Sequence, residues 1–550
     1  MAFEWLNDEA RRFLSRGYLI EGQTPEGRIA EIAKTAEEYL GIEGFANKFY
    51  DYMGRGYFSL ASPVWANYGL DRGLPVSCFG SYIEDNMESI LYSHAENGML
   101  MKGGGGTSGF FGELRHRGAP IKNSGESNGS VHFVQLFDTL ANVVSQGNVR
   151  RGYFSAYLPI EHPDADEFLD IGTEGNPIQG LTTGITVSSE FMKRMANGDK
   201  EARRLWAKVL KRRSEIGYPY IFFTDNVNEG RPKVYKDKDM KVHASNMCSE
   251  IALPSSPDET FTCVLSSINL LHWDELKETD AVETLTMFLD TVVTEFIKKT
   301  EGKKYYERSH NFAKRHRALG LGVLGWHSYL QSKMLPFEGR EAAQKNLEFA
   351  KTIREKTHAA SVKLAQMFGE PDVLRGYGLR NTTNIAIAPT KSSSMILGQV
   401  SQSIEPEFSN FYVKDLSKTK LTIRNPYLKA HLAEIGKDTD EVWESIRLAD
   451  GSVQHLDFLD DKVKAVFKTF AEINPYTIID QASIRQEYID QAQSLNLIIP
   501  PDMPVRDMNA LYMYAHGMGI KSLYYQYGMS QAQALSRKKV MNEGCAACEA

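Results

Sequence analysis

The sequence has few cysteines, no long apolar run and no excess of positive charge. Its five cysteines in 550 residues are an odd, sparse set, which argues against a disulfide-rich scaffold. Its 63 lysines and arginines face 70 aspartates and glutamates, so no overall positive field favours nucleic-acid binding. No run of about 18 apolar residues is present, which excludes a membrane-spanning helix. The charged amino-terminal segment lacks the apolar core of a signal peptide, so we expect a cytoplasmic protein.

The pattern of apolar residues predicts strands that alternate with long helices. Apolar side chains recur at helical spacing over 281–298 and 340–368. Short apolar runs at Tyr220–Phe223, Leu319–Leu324 and 385–388 are typical of buried strands. This alternation favours an α/β fold with parallel strands, and the length suits one large enzyme fold or about three domains.

The segment SNMCSEI places an amide, a thiol and a carboxylate at alternate positions, Asn246, Cys248 and Glu250. An extended segment or a loop tip here would aim all three groups at one spot. The alternative is a buried structural cysteine beside a polar loop, and this segment alone favours that alternative.

The other four cysteines fall into two pairs. Cys78 and Cys263 lie in apolar, strand-like runs, where they are either inert core residues or a redox pair on adjacent strands below Cys248. Cys545 and Cys548 form a CxxC at the end of the chain. A zinc site would need two more ligands and a thioredoxin-like site would need a following helix, so the position favours a swinging dithiol.

Two further segments combine glycine or hydroxyl groups with a strand and a helix start. Residues 388–394 (APTKSSS) form a hydroxyl-rich turn between a predicted strand and a predicted helix, which suits the binding of an anion. Helix capping by serine is the simpler explanation of this segment taken alone. The glycines at 103–106 lack the Gly-Lys-Ser/Thr ending of a phosphate-binding P-loop.

Two Glu-x-x-His pairs occur, at Glu307/His310 and Glu355/His358. A di-metal site in a helix bundle uses two such pairs together with two further glutamates. With 13 histidines in the chain, pairs of this kind arise by chance, so we expect no metal in this chain.

Together these motifs resemble the large, catalytic (alpha) subunit of ribonucleotide reductase. The resemblance runs from about Arg55 to the last residues, and it rests on NxCxE, all five cysteines, and PTKSSS followed by SIEP. It implies a ten-stranded α/β barrel, built of two five-stranded parallel half-sheets around a central finger loop. It also implies a helical region at 1–55 without an ATP-cone, the barrel at 56–527 and a flexible redox tail at 528–550.

The resemblance implies a role for each cysteine of the interior. Cys248 would be the thiyl radical that abstracts the ribose 3′ hydrogen, with Glu250 as base at the 3′ hydroxyl and Asn246 hydrogen-bonded to the same hydroxyls. Cys78 would protonate the leaving 2′ hydroxyl and end in a disulfide with Cys263.

The resemblance also implies the redox, substrate and effector contacts. Cys545 and Cys548 would re-reduce the disulfide, and thioredoxin or glutaredoxin would reset them. The expected substrate contacts are Ser62, Ser77, Thr390, Lys391, Ser392, Ser393 and Ser394. The expected contacts of dNTP and ATP effectors are Asp85, Gln146 and Arg150. Arg151 stands where the family pattern has a glycine.

Adjacent tyrosines are usually a packing pair. Tyr524 and Tyr525, however, lie shortly before the cysteine tail, where class I enzymes of this family have the tyrosine pair that carries the radical to the active cysteine. Class I implies a separate beta subunit with a di-metal centre, ribonucleoside diphosphate substrates and a homodimer. The alternative is a class II enzyme that uses adenosylcobalamin without a beta subunit, which the compact length and the CxxC tail also suit.

Overall fold

The structure is a computed structural model that describes residues 3–147, 150–416, 419–500 and 502–528. Cys545 and Cys548 lie outside the described residues. Within these ranges, no helix combines the length and apolar character that a membrane crossing requires.

The described residues form helices and strands in alternation. The α-helices are α1 (Asp8–Leu14), α2 (Pro25–Leu40), α3 (Phe45–Gly54), α4 (Ser62–Asn67), α5 (Met87–Lys102), α6 (Ser130–Val143), α7 (Ala165–Phe168), α8 (Ser189–Ala196), α9 (Lys200–Ile216), α10 (Thr224–Glu229), α11 (Lys233–Asp237), α12 (Trp273–Leu276), α13 (Ala281–Thr300), α14 (Glu307–His316), α15 (Trp326–Ser332), α16 (Arg340–Phe368), α17 (Lys391–Ile396), α18 (Pro426–Glu434), α19 (Asp440–Leu448), α20 (Asp461–Val466), α21 (Pro475–Gln486) and α22 (Val505–Gly517). Short 3-10 helices cover Leu270–His272, Asp372–Leu374 and Phe470–Glu472.

The strands are β1 (Phe58–Leu60), β2 (Cys78–Tyr82), β3 (Gly106–Phe110), β4 (Pro120–Ile121), β5 (Gly125–Glu126), β6 (Ser145–Gln146), β7 (Arg150–Arg151), β8 (Phe154–Pro159), β9 (Thr182–Val187), β10 (Tyr220–Phe223), β11 (Phe261–Asn269), β12 (Leu319–Leu324), β13 (Phe411–Leu416), β14 (Thr419–Arg424), β15 (Leu497–Ile499), β16 (Ser522–Leu523) and β17 (Gln526–Gly528). Helices predicted from periodicity at 281–298 and 340–368 are confirmed as α13 and α16, and the strands at Tyr220–Phe223 and Leu319–Leu324 are confirmed as β10 and β12.

Five strands form the first half of a curled sheet. β2, β3, β8, β9 and β10 pair in this order, and every pair is parallel. Parallel neighbours need a long connection, and helices such as α5 and α6 supply it. The burial pattern of β3 and β10 is continuous, as expected for strands covered on both faces.

The second half of the sheet is also parallel but less regular. β11 and β12 pair in parallel, and single bridges continue the series from Leu321 to Ile385 and from Ile387 to Gln493. β15 and β17 then pair in parallel. The predicted strand at 385–388 is thus present only as these bridges. Antiparallel pairs flank the first half, where β2 pairs with β11 and β10 pairs with β16.

A finger loop, residues 245–252, lies inside this curled sheet and is held from opposite sides. Tyr157 of β8 donates to the carbonyl of Asn246 over 2.7 Å, and Ser522 of β16 donates to the carbonyl of Ser249 over 2.7 Å. All of these residues are buried. The strands therefore fix the position of the loop that carries Cys248.

A buried cation joins helix α2 of the amino-terminal region to α4. Arg28 of α2 donates to the carbonyls of Val64, Trp65 and Tyr68 at the end of α4. The last carbonyls of a helix have few or no backbone partners, so Arg28 caps the end of α4 from outside the helix.

A small unit with its own apolar core interrupts the second half-sheet. It contains the hairpin of β13 and β14 and the helices α18 to α20, and its core includes Leu428, Trp443 and Phe467. The sequence analysis did not separate this unit from the barrel.

Candidate active site

The tip of the finger loop is a tight turn. The N–H of Ser249 donates to the carbonyl of Asn246 over 3.3 Å, and Ser249 has a left-handed backbone with φ of 60°. This conformation costs a side chain with a Cβ about 1–2 kcal/mol, so the surrounding contacts must hold it. Asn246, Cys248 and Glu250 therefore lie at a loop tip, one of the two backbone forms that the sequence allowed.

One hydroxyl connects the cysteine and the carboxylate of this turn. Ser494 Oγ lies 2.5 Å from the carbonyl oxygen of Cys248 and 3.1 Å from Oε2 of Glu250. All three residues are fully buried. Burial, together with the neighbouring Cys248 and Glu250, raises the pKa of Tyr157 well above its ordinary value, so that phenol remains a hydrogen-bond donor to the loop.

Cys78 and Cys263 face each other across two strands. In the antiparallel pairing of β2 and β11 their Cα atoms are direct partners in the register. Directly opposed residues of such a pair are about 4.5–5.5 Å apart, within the range that a disulfide spans. Both are buried free thiols in this structure. The strand pairing therefore allows them to exist as two thiols or as a disulfide with little movement.

A side-chain amide donates to each of these two sulfurs. Asn246 Nδ2 lies 3.2 Å from Cys78 Sγ, and Gln491 Nε2 lies 3.4 Å from Cys263 Sγ. Asn246 belongs to the same turn as Cys248, so the first contact joins the finger loop to the cysteine pair. Burial raises the pKa of Cys263 to about 12, which keeps it a thiol at neutral pH.

Tyr524 and Tyr525 lead from the finger loop towards the outside. The hydroxyl of Tyr524 lies 3.7 Å from Cys248 Sγ, and the ring centres of the two tyrosines are 4.4 Å apart. Tyr524 is fully buried, whereas Tyr525 is partly exposed. Tyr220 packs on both rings, at 4.8 and 5.2 Å, and Tyr527 stacks on Tyr525 at 5.8 Å.

The backbone of this tyrosine pair is anchored by several elements. The N–H of Tyr524 donates to the carbonyl of Leu495, and its carbonyl accepts from the buried guanidinium of Arg213 over 2.9 Å. The N–H of Tyr525 donates to Oδ1 of Asn496 over 3.0 Å. These bonds fix both rings relative to Cys248.

The PTKSSS segment forms a turn followed by the short helix α17. Thr390 has a left-handed backbone with φ of 53°, and its hydroxyl accepts from the N–H of Ser403 over 2.8 Å. Ser394 donates to the carbonyl of Val400. Lys391 is partly exposed, with Nζ 5.9 Å from the ring centre of Tyr525. The turn therefore lies beside the tyrosine pair.

The remaining predicted substrate residues lie near this turn or near the cysteine pair. Ser62 begins α4, directly after β1, and β1 is linked to α17 by a bond from Ser59 Oγ to the carbonyl of Ser393. Ser77 directly precedes Cys78. The hydroxyls of Ser77 and Ser392 are buried without a hydrogen-bond partner in the described parts of the chain. Buried polar atoms of this kind are rare in folded proteins and are accounted for by a bound ligand or water.

The predicted effector residues lie just before α5 and in the hairpin of β6 and β7. Asp85 precedes α5 and pairs with Arg115, whose Nε lies 2.7 Å from Oδ2. Gln146 and Arg150 are partners in the small hairpin of β6 and β7. Gln146 Nε2 donates to Oδ1 of Asn67 over 2.9 Å, at the end of α4 opposite to Ser62.

The glycine-rich stretch packs against this hairpin. Gly104 has a left-handed backbone with φ of 95°, and a Cβ there would overlap the side chain of Gln146. A Cβ at Gly73, which is also left-handed, would overlap the same side chain. These glycines therefore make room for Gln146, which agrees with the absence of a P-loop ending.

Comparison with known proteins gives the family. The model of the ribonucleotide reductase barrel domain matches residues 76–201, 199–373 and 372–526. The chain belongs to the ribonucleotide reductase family. A putative ribonucleoside-diphosphate reductase large subunit of Frog virus 3 is 35% identical over 540 residues, with 94% of each chain covered. A ribonucleoside-diphosphate reductase large chain of Saccharomyces cerevisiae is 28% identical, covering 93% of this chain and 68% of the yeast chain.

A solved structure is similar over almost the full length. The Actinobacillus ureae class Id ribonucleotide reductase alpha subunit is 56% identical and has a TM-score of 0.92. The match covers 97% of this chain and 99% of the Actinobacillus chain. This ribonucleotide reductase chain is therefore an enzyme subunit of the large, class I type with the barrel fold that the motifs implied.

Sequence reasoning missed several residues of this reductase site. Gln491, Ser494 and Asn496 all come from the segment DQAQSLN, which crosses the barrel beside the finger loop. Five polar side chains within seven residues, in a stretch that is buried throughout, are the signal that singles it out. Asn67, the partner of Gln146, was missed for lack of any local motif.

Of the two Glu-x-x-His pairs, Glu307 and His310 bind hydroxyl groups, whereas Glu355 and His358 are exposed. Glu307 accepts from the hydroxyl of Tyr92 over 2.5 Å, and Nδ1 of His310 lies 3.0 Å from the hydroxyl of Thr300. In the part of the chain that the structure describes, no three His, Cys, Asp or Glu side chains are grouped to hold a metal ion.

Proposed function

We propose that this chain reduces ribonucleoside diphosphates to 2′-deoxyribonucleoside diphosphates by thiyl-radical chemistry, as the catalytic subunit of a class I ribonucleotide reductase. The observation that carries the proposal is the convergence of three elements. Cys78 and Cys263 are register partners, Asn246 joins Cys78 to the finger loop, and Tyr524 reaches Cys248.

The thiyl radical of Cys248 takes the hydrogen from C3′ of the ribose. Glu250 takes the proton of the 3′ hydroxyl, while Asn246 binds the same part of the sugar. Because Ser494 holds both the Cys248 carbonyl and the Glu250 carboxylate, the radical and the base keep a fixed separation. A fixed base within reach of the proton is the requirement for general base catalysis.

Loss of water at C2′ is balanced by the cysteine pair. Cys78 gives its proton to the leaving 2′ hydroxyl, and the two thiols together supply two electrons and two protons. The C2′–O bond breaks, a C2′–H bond forms, water leaves, and Cys78 and Cys263 become a disulfide. Cys248 then returns its hydrogen to C3′ and is again a radical, and Glu250 returns the proton to the 3′ oxygen. Complete burial of these groups excludes solvent from the radical.

The radical reaches Cys248 through Tyr525 and Tyr524. The contacts between these rings and from Tyr524 to Cys248 are short enough for proton and electron to move together between neighbours. A di-metal centre in a separate beta subunit supplies the oxidising equivalent, and partly exposed Tyr525 is the side from which that subunit acts. Similarity to a class Id alpha subunit favours this path over the adenosylcobalamin alternative.

The remaining predicted sites complete the proposal. Thr390, Lys391, Ser392, Ser393 and Ser394 bind the diphosphate, and the unpartnered hydroxyl of Ser392 supports this assignment. Ser62 and Ser77 bind the nucleotide from the other side.

Regulation and re-reduction involve partners of the chain. Deoxynucleoside triphosphates and ATP act at Asp85, Gln146 and Arg150 in a cytoplasmic homodimer. The tail at 528–550, with Cys545 and Cys548, re-reduces the disulfide of the barrel at 56–527, and thioredoxin or glutaredoxin resets it.

Turnover of CDP tests the proposal. With a class I beta subunit and a dithiol reductant, the chain is expected to produce dCDP, and Cys248→Ser is expected to abolish production while leaving the fold unchanged. Activity with adenosylcobalamin and no beta subunit would contradict the class I assignment. Nucleotide reduction that survives Cys248→Ser would contradict the radical mechanism altogether.

A further inference from the structure

The side chain of Gln491 connects the finger loop to the Cys263 thiol. Its Oε1 accepts from the N–H of Ala252, at the base of the finger loop, over 3.0 Å. Its Nε2 lies 3.4 Å from Cys263 Sγ, 2.9 Å from the carbonyl of Leu319 and 3.1 Å from the hydroxyl of Thr383. The residue is fully buried, so its polar atoms depend on these partners rather than on solvent.

The backbone of Gln491 is held as firmly as its side chain. Its N–H donates to the carbonyl of Ile385 over 3.2 Å. Its carbonyl accepts from the buried ammonium of Lys521 over 2.8 Å, and the same ammonium binds the carbonyl of Asp490 over 3.0 Å. Burial of Lys521 lowers its pKa to about 7. Gln491 is thus an anchored donor that cannot follow the sulfur if the sulfur moves.

The sulfur of Cys263 has little space in which to move. A Cβ at Gly320 of the neighbouring strand β12 would lie 3.1 Å from it. Its burial disfavours the thiolate, and the bond from Gln491 is the contact that acts in the opposite direction on the pKa of Cys263. An N–H donor stabilises a sulfur in proportion to its negative charge, and a disulfide sulfur is a weaker acceptor than a thiol or thiolate.

We propose that Gln491 is a positioning residue that stabilises the reduced form of the Cys78–Cys263 pair and thereby sets its reduction equilibrium. This inference rests on the proposed function, in which the pair cycles between dithiol and disulfide. In the reducing direction, one S–S bond breaks, two S–H bonds form, and the two electrons and two protons come from an external dithiol that becomes a disulfide. Without the donor, the equilibrium lies further towards the Cys78–Cys263 disulfide.

The test uses the full chain with Cys545→Ser and Cys548→Ser, so that only the interior pair titrates. The protein is equilibrated with mixtures of reduced and oxidised dithiothreitol, and the Cys78–Cys263 disulfide is quantified by alkylation and mass spectrometry. Gln491→Met keeps the shape but removes the donor. We expect a shift of about five- to tenfold towards the disulfide, from the loss of one hydrogen bond. Tenfold corresponds to a potential about 30 mV more negative.

Gln493→Met is the matched control. Gln493 lies two residues away, is equally buried, and donates to the carbonyl of Ala482 while accepting from Arg485; among the described residues its side chain has no hydrogen bond to a cysteine. The control is expected to have the reduction equilibrium of the parent protein. An equal shift in both variants would show a general loosening of the segment and would overturn the assignment to Gln491.

Gln491→Glu covers the case in which the methionine variant does not fold. The carboxyl keeps the shape and the acceptor for Ala252, but oxygen replaces the nitrogen donor. A proton on that carboxyl has the carbonyl of Leu319 as its nearer and stronger acceptor, so the sulfur again loses its donor. We therefore expect the same direction of shift, and an unchanged equilibrium would refute the inference.

The parent protein separates the inference from the proposed function. If CDP turnover with the beta subunit never produces a Cys78–Cys263 disulfide in the parent, the proposed function fails. If the disulfide forms and the Gln491 variants titrate like the parent, only the role of Gln491 fails.

Discussion

Ser494→Ala is expected to reduce turnover far more than it affects substrate binding. In the folded chain this hydroxyl lies between the carbonyl of Cys248 and the carboxylate of Glu250, and all three residues are fully buried. Its loss leaves two acceptors with one donor fewer, at a cost of about 2 kcal/mol because one acceptor is a carboxylate. If this free energy is lost from the positioning of Cys248 and Glu250 in the transition state, the activation free energy rises by the same amount. Because 1.4 kcal/mol corresponds to a factor of ten, kcat then decreases about 30-fold.

Ser522→Ala is the matched control for this prediction. Ser522 is equally buried and binds the same loop through the carbonyl of Ser249, over 2.7 Å, but has no bond to Glu250. The two variants are expected to lose similar free energy of unfolding in urea titrations. Steady-state CDP reduction is expected to separate them, with a much larger loss of kcat for Ser494→Ala and a similar KM for both. An equal loss of kcat in the two variants would refute the argument that Ser494 places the base.

Three further predictions concern the tyrosine path, a buried carboxyl and the capping of α4. Tyr524→Phe removes the hydroxyl 3.7 Å from Cys248 Sγ and is expected to abolish CDP reduction without changing the circular dichroism spectrum. Tyr220→Phe is the control and is expected to retain activity. CDP reduction by Tyr524→Phe would exclude this radical path. Burial raises the pKa of Glu96 to about 7, so the folded protein binds more protons than the unfolded chain between pH 4.5 and 7, and its free energy of unfolding falls as pH rises through that window. In Glu96→Gln the free energy of unfolding is expected to depend less on pH, and the difference from the parent protein reaches up to about 3 kcal/mol at pH 7. Denaturant titrations at several pH values measure this difference, and parallel pH profiles of the two proteins would contradict the prediction. Arg28→Met removes the side-chain donor to three carbonyls at the end of α4 and is expected to lower the free energy of unfolding in urea by about 3 kcal/mol. Arg12 is exposed, and Arg12→Met is expected to lower the same free energy by less than about 0.5 kcal/mol.

The helices and strands with strong local patterns were predictable from the sequence. α13 and α16 have apolar stripes of many turns, and β10 and β12 are apolar runs bounded by turn residues. The segment at 385–388 has the same apolar pattern but forms only single bridges, because whether a run completes a ladder depends on its neighbours.

Long-range pairing was beyond the local pattern. The register that opposes Cys78 to Cys263 joins strands far apart in the chain, and nothing within either strand specifies it. The strand-like pattern around each cysteine allowed adjacency but left an inert core equally open.

The supporting residues of the site were the hardest to predict. Gln491 and Ser494 carry no motif, and their importance arises only because the segment passes beside the finger loop. Asn67 could not be predicted for the same reason, because its partner Gln146 belongs to a hairpin almost 80 residues later in the chain. By contrast, the five cysteines and the tyrosine pair stood out in the sequence, although only the resemblance to a known family implied roles for them.

The position of the cysteine pair at one junction of the two half-sheets has a mechanical consequence. A bond between Cys78 and Cys263 would cross-link β2 to β11 and close a loop of well over 100 residues, which in the chain-entropy account raises the free energy of unfolding by about 4–5 kcal/mol. Each catalytic cycle would therefore alternate the protein between a covalently closed barrel and one held by weak forces alone. Resistance to heat and to proteolysis would then report how much of an enzyme population awaits re-reduction.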